Sequence, residues 1–178
     1  MKSYTKIIMA DAFEELLREK SFDDITVSDI VARSGASRST FYKHFSDKFE
    51  IMIWKYKEAL SQIHNTEKGV DDWQEGTLAG IQYLADNRNY FLKIIDYKGQ
   101  NSVHDFLLHF AVDFTKGIMC KKRNTDWIPE KEYQALRVWL MGTTQYIMEW
   151  LKTMNMTPEE LAELLCDCRP RLLKDYFN

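Results

Sequence analysis

The segment from Thr26 to Phe45, Thr-Val-Ser-Asp-Ile-Val-Ala-Arg-Ser-Gly-Ala-Ser-Arg-Ser-Thr-Phe-Tyr-Lys-His-Phe, constrains the fold more than any other part of the chain. It predicts two short helices about a tight turn. Thr26 is followed three residues later by Asp29, a carboxylate version of the reciprocal N-terminal cap. Ile30 and Val31 supply an apolar side. Ser34-Gly35-Ala36 breaks the first helix, with Gly35 where a left-handed C-terminal cap costs little. Ser37 can cap the second helix. Phe41 and Phe45, four apart, share one face of it. Arg38, Ser39, Thr40, Tyr42, Lys43 and His44 are left for the other faces. A helix, a turn and a second helix with an outward face of hydrogen-bond donors is what insertion into a DNA major groove requires.

The bulk of the chain agrees with an all-α protein. Among 178 residues there are only 7 Gly and 3 Pro, and no alternating strand pattern is present. The net charge of −3 excludes a generally basic nucleic-acid binder. Charge is uneven, however: Arg33, Arg38, Lys43 and Lys48 face a single acid, Asp47, between residues 33 and 48. A local basic patch on an acidic protein attracts DNA while limiting unspecific adhesion elsewhere. Cys120, Cys166 and Cys168 are an odd set in a chain long enough to bury a core, so reduced thiols are expected. The N-terminus leads into an amphipathic segment and not into a signal-peptide run. No apolar stretch approaches the roughly 20 residues needed to span a bilayer. A cytoplasmic protein without a membrane association is expected.

Read in order, residues 4–20 form an amphipathic helix with Ile8, Ala12, Phe13, Leu16 and Leu17 on one stripe. Phe22 and Ile25 in the connector are expected to pack under the two motif helices, at 27–34 and 38–45. Ser46-Asp47 opens a fourth helix to about residue 65, and residues 65–70 read as a loop. Asp72 with Glu75 starts a helix to about 87, in which Gly76 and Gly80 suggest close approach of a neighbour. A short apolar helix over 89–97 stops at Gly99. Ser102 opens a long one to about 120, and residues 120–125 read as a polar loop. The segment 129–154 is apolar on more than one side. Thr157-Pro-Glu-Glu160 is a complete helix start, and Pro170 ends that helix near 168.

No catalytic or metal-binding constellation stands out. His104 and His109 are five apart, which suits no shared metal on one helix, and Asp105 with His109 reads as an exposed i,i+4 pair. Cys166 and Cys168 point to different faces without histidines to complete a zinc set. There is no glycine-rich phosphate loop and no nucleophile elbow. Neither a metal, nor a cofactor, nor an enzymatic activity is expected.

Residues 7–58 closely resemble the N-terminal DNA-binding domain of TetR-family transcriptional regulators. The likeness is carried by Ile7-Ile-Met-Ala-Asp-Ala-Phe13, Ile25-Thr-Val-Ser-Asp-Ile30, Gly35-Ala-Ser37, Ser39-Thr-Phe-Tyr-Lys-His-Phe45 and Lys48. It departs at Ser21, where a glycine is usual, and at Phe49-Glu-Ile51, where an acidic pair and a leucine are common. Asn87-Arg-Asn-Tyr-Phe91, Trp150-Leu151 and Thr157-Pro-Glu-Glu160 look like the branch containing regulators of dihydroxyacetone kinase operons.

The resemblance implies a helix-turn-helix domain at 1–48 and a larger helical effector-binding and dimerisation domain at 49–178. Its DNA contacts fall on Thr26, Ser28, Ser37, Arg38, Ser39, Thr40, Tyr42, Lys43, His44 and Lys48. Tyr42, Lys43, His44 and Lys48 are expected at phosphates, with Thr26 and Ser28 donating from the start of the preceding helix. Arg38, Ser39 and Thr40 sit early in the recognition helix, where base edges are read. The helices 129–154 and 157–168 are implied to form a homodimer that reads palindromic double-stranded DNA, with half-sites roughly 34 Å apart. Trp54, Tyr83, Phe91, Phe106, Phe110, Trp139 and Tyr146 are candidates for lining an effector cavity. A repressor released by a small-molecule effector is expected. The alternative is a regulator without such a ligand, acting as coactivator or repressor under a protein partner docked on the C-terminal domain. A cavity of a few hundred Å³ would favour the ligand. A filled core with an exposed apolar patch would favour the partner.

Overall fold

The computed structural model describes residues 4–64, 73–95 and 102–177. These residues fold as helices only: α1 (Tyr4–Glu19), α2 (Val27–Ser34), α3 (Arg38–His44), α4 (Lys48–His64), α5 (Trp73–Asp86), α6 (Arg88–Leu92), α7 (Val103–Arg123), α8 (Glu130–Thr153) and α9 (Pro158–Asp167), then a 3₁₀ turn over Arg171–Tyr176. The expected cap at Asp72, the end of the short helix at Tyr97 and the stop at Gly99 lie outside the described residues.

α1 buries Met9, Ala10, Ala12, Phe13, Leu16 and Leu17 along one stripe. Phe22 and Ile25 follow it into the core. The Phe22 ring meets Phe13 edge-on at 6.1 Å and Phe49 of α4 at 6.4 Å. α2 packs along α1 and α3 packs on α2, so the first three helices share one small core. α4 continues out of it. Near its start Phe49, Ile51 and Met52 are buried, and one turn on Tyr56 is buried against α5, α6 and α7.

Tyr56 is the centre of an aromatic cluster within the same continuous core. The rings of Tyr83, Phe91, Phe106 and Phe110 surround it, edge-on, with centroids 5.5–6.2 Å away. Such pairs stabilise beyond the area they bury, by about 0.5–1.5 kcal/mol each. The helix carrying Gly80 comes so close that a Cβ there would lie 3.0 Å from the Tyr56 hydroxyl. The expected approach of a neighbouring helix to α5 thus takes the form of a tyrosine hydroxyl. α5 also packs along α9, and α7 along α8. Trp73 at the head of α5 lies against Trp139 of α8 at 4.8 Å, and Phe177 touches both rings.

Two expected boundaries are corrected. The polar stretch Cys120–Arg123 is helical, because α7 runs on to Arg123 and ends at Asn124 with φ 53°. Lys121, Lys122 and Arg123 occupy its last turn, where cations meet the negative end of the helix dipole. Asparagine adopts the left-handed cap more readily than other residues with a Cβ. The short apolar helix begins earlier than expected, at Arg88, and its α-helical span ends at Leu92, with hydrogen-bonded turns continuing to Ile95.

Local signals otherwise dictate the helix ends. Thr157 accepts from the Glu160 amide at 3.2 Å while Glu160 accepts from the Thr157 amide at 2.7 Å. Gly35 has φ 69°, in the left-handed region where a Cβ costs about 1 kcal/mol or more. Nothing lies within 4 Å of a Cβ built there, so the cost is one of backbone alone. Gly35→Ala is expected to lower unfolding stability by about 1 kcal/mol, and Gly35→Asn by less, in chemical denaturation.

Candidate nucleic-acid interface

The two motif helices are fixed before any partner arrives. The Asp29 amide donates to Thr26 Oγ1 at 3.2 Å, and the Thr26 amide donates to Asp29 Oδ2 at 2.7 Å. Lys20, directly after the end of α1, closes on the same carboxylate at 2.8 Å. Those hydrogen bonds, from Lys20 first and then from Thr26, hold the Asp29 carboxyl well below the usual carboxylate range. Ser37 caps α3, accepting from the Thr40 amide at 3.0 Å, and its hydroxyl joins those of Ser39 and Thr40 at 2.8 and 2.7 Å. Phe41 and Phe45 are fully buried beside Ile30. Their burial turns Arg38, Ser39, Tyr42 and Lys43 to solvent, with Thr40 and His44 half-buried.

Arg38 is restrained by both helices. Its Nη1 donates to Ser28 Oγ of α2 at 3.2 Å, and its guanidinium lies 5.8 Å from the centre of the Tyr42 ring. Tyr42 is 50% exposed and its ring meets Phe41 edge-on. Thr26, Ser28, Ser37, Arg38, Ser39, Thr40, Tyr42, Lys43 and His44 therefore all belong to the same pair of helices, α2 and α3 with their caps.

Lys48 is placed differently. Its ammonium donates to the carbonyls of Phe22, Asp23 (3.2 Å) and Ile25 (2.8 Å), and sits 4.3 Å from the Phe22 ring centre. Three donors meet three acceptors, so the side chain ties the α1–α2 connector to α4. Desolvation lowers its pKa, with nearby Asp23 and Asp24 opposing. Arg33 is likewise engaged by other residues of the protein, at the surface. It forks onto Glu19 at 2.7 and 2.9 Å and reaches Glu15 at 3.2 Å, which locks α2 on α1. The four-cation window of the sequence thus resolves in space into Arg38 and Lys43, flanked by His44.

The candidates for an effector cavity do not line one common cavity. Tyr83, Phe91 and Phe106 ring Tyr56 in a filled core. Trp54 meets Phe45 edge-on at 6.1 Å, and the Lys6 ammonium lies near both rings. Phe110 lines a cavity of about 70 Å³ between α4, α5, α7 and α8. Trp139 and Tyr146 line a separate apolar groove of about 310 Å³ between α8 and α9. The cavity that Phe110 lines is well below the volume of small-molecule sites. Its polar wall, Thr115, Thr143 and Thr144, and its end groups, Tyr56 and Trp73, were not picked out from the sequence. The Trp73 indole donates to Thr115 Oγ1 at 3.0 Å, and Thr115 donates to the Ala111 carbonyl at 2.7 Å. A threonine on an apolar helical stripe was the available signal. Among the described residues no group of His, Cys, Asp and Glu could hold a metal ion, and no helix is long and apolar enough to cross a membrane.

Comparison with known proteins places both halves of the chain. Residues 10–53 match the profile of bacterial regulatory proteins of the tetR family. Residues 71–168 match that of a transcriptional regulator C-terminal region. The HTH-type dhaKLM operon transcriptional activator DhaS of Lactococcus lactis is 28% identical over 123 residues, 69% of this chain. The match spans 65% of that relative's length, just under two thirds. The solved dihydroxyacetone kinase operon activator DhaS superposes with a TM-score of 0.65 at 22% identity, over 97% of this chain and 96% of its own. A TetR transcriptional regulator from Streptococcus agalactiae gives 0.63 at 22% identity, over 94% of each chain. At this identity the superpositions establish the fold.

The cap at α2 carries a pH signature. Because the folded Asp29 carboxyl is depressed, its contribution is complete above the unfolded value near 3.9 and is lost as pH falls through the lower folded value. The stability difference between the wild type and Asp29→Asn should be flat from about pH 5 to 8 and should close below about pH 4, in denaturant titrations across pH.

Proposed function

The chain belongs to the TetR family of bacterial regulatory proteins, and on that premise we propose that it binds a palindromic operator as a homodimer. The head, residues 1–48, inserts α3 into the major groove; the body, residues 49–178, joins two copies through α8 and α9. The observation that carries this reading is the fixed outward face of α3, with Phe41 and Phe45 buried behind it. Ser37, Arg38, Ser39 and Thr40 are at the helix start, where base edges are met. Tyr42, Lys43 and His44 follow at phosphate level, with Thr26 and Ser28 on the neighbouring strand backbone. Lys48 acts one step behind, by holding the connector that carries Thr26.

The dimer surface is supported by exposed apolar side chains on α8 and α9. Val138 is 71%, Met141 50% and Leu164 38% exposed, beside the α8–α9 groove. Surface of this kind is normally covered by a partner. A second copy applying the same face is the simplest arrangement that closes on itself.

For control of binding, the cavity of about 70 Å³ supports the reading in which no metabolite is enclosed and a protein partner docks on the body. Repression is the family's usual outcome. The Lactococcus relative carries the name of an operon activator, and we propose activation for this chain also. Deleting the gene should lower the transcript of the operon it binds; a rise would reverse the assignment.

The cationic roles separate in a salt titration. Lys43→Ala is expected to reduce the slope of log affinity against log salt by about 1, one phosphate contact. Lys48→Met is expected to leave the slope unchanged and to lower stability by about 1 kcal/mol, a value discounted for its partial exposure. If Lys48→Met lowers the slope as Lys43→Ala does, the scaffold role assigned to Lys48 is wrong. Met141→Glu combined with Leu164→Glu should yield a folded monomer by light scattering, with operator affinity reduced about a hundredfold or more.

A further inference from the structure

The five-residue helix α6 connects the C-terminal ends of two longer helices that belong to different parts of the molecule. At its start, Arg88 donates from Nε to the Leu151 carbonyl at 2.8 Å and from Nη2 to the Lys152 carbonyl at 2.6 Å. Both carbonyls lie in the last turn of α8 (Glu130–Thr153). At its end, the Lys93 ammonium donates to the Leu17 carbonyl, in the last turn of α1 (Tyr4–Glu19). Each cation also faces the negative end of a helix dipole. Between the two, the Tyr90 ring meets Phe13 of α1 edge-on at 6.3 Å, and Phe91 sits in the aromatic cluster around Tyr56.

Mechanically this is a second attachment. The head is joined to the body by the continuous helix α4, whose Lys55 pairs with Glu14 of α1. One helix alone leaves the head free to pivot about it. A second link, away from that axis, fixes the angle. α6 supplies it, and its other end is fastened to α8, a helix of the dimer surface. In a dimer the separation and tilt of the two α3 helices then follow from α8 through Arg88, α6 and Lys93 to α1.

We propose that Arg88 and Lys93 are positioning residues for operator recognition, setting the spacing between the two reading heads without touching DNA. The inference rests on the homodimeric DNA-binding reading given above. It assigns to Arg88 the two-carbonyl fork that a lysine cannot reproduce, and to Lys93 a single hydrogen bond that an arginine can replace.

The experiment uses the full-length protein and a set of operators, selected from random DNA, whose half-sites are moved apart or together in single base-pair steps. Each step rotates one half-site against the other by roughly a tenth of a helical turn. The wild type should prefer one spacing over its neighbours by about tenfold, and Arg88→Gln with Lys93→Met should cut that preference to about twofold. Lys93→Arg should keep the wild-type profile. Should the double variant fail to fold by circular dichroism, Lys93→Met alone carries the test, with a smaller loss of preference. A merely structural role would weaken binding at every spacing by the same factor; that result, or an unchanged profile, overturns the proposal. If the wild type binds no operator of any spacing, the DNA-binding reading itself fails, and the proposal with it.

Discussion

A seven-residue helix has no stability of its own in water, because the first turn costs more conformational freedom than its hydrogen bonds return. α3, Arg38–His44, exists because Phe41 and Phe45 are buried against α1, α2 and α4. That one burial fixes which residues face outward. Arg38, Ser39, Tyr42 and Lys43 are exposed as a consequence of two phenylalanines four residues apart, and Ser37 settles where the helix starts. The outward surface of α3 is in this sense the back of a hydrophobic contact.

The same economy governs charge. Arg33 and Lys48 stand in one basic window with Arg38 and Lys43 when counted along the chain. In the fold each is consumed by acceptors from elsewhere: two carboxylates of α1 for Arg33, three connector carbonyls for Lys48. They hold the face in place. Arg38 and Lys43 remain exposed on the outer face of α3. Scaffold and outer face thus use the same residue types within sixteen positions of one another.

Much of the head could be read in the sequence because its signals are local. Thr26 with Asp29, Gly35, Ser37 and the Phe41–Phe45 pair each act within four residues, and the structure reproduces all of them. What escaped is what depends on distant partners. Arg33 meets Glu15 and Glu19 across 18 and 14 residues, and Lys48 reaches back 23 to 26. In the body, helical stripes marked the aromatics as buried but not their point of convergence. That point is Tyr56, on a helix whose pattern mixes charged and apolar residues. Tyr83, Phe91 and Phe106 consequently fill a core around it, and only Phe110 reaches the small cavity. The end of α7 was misread for a different reason: three successive cations look like a loop, yet the last turn of a helix is where they are electrostatically welcome.

Trp73 and Trp139 lie 4.8 Å apart with their planes inclined by 38°. Two identical chromophores at that distance share their electronic excitation, so their absorption is no longer that of separate indoles. The pair couples the first residue of α5 to the middle of α8, and Phe177 from the chain's end covers both. The body therefore contains its own optical gauge. A small sliding of α5 against α8 would alter the sign-split ellipticity of the coupled rings without changing helix content, and without any label attached to the protein.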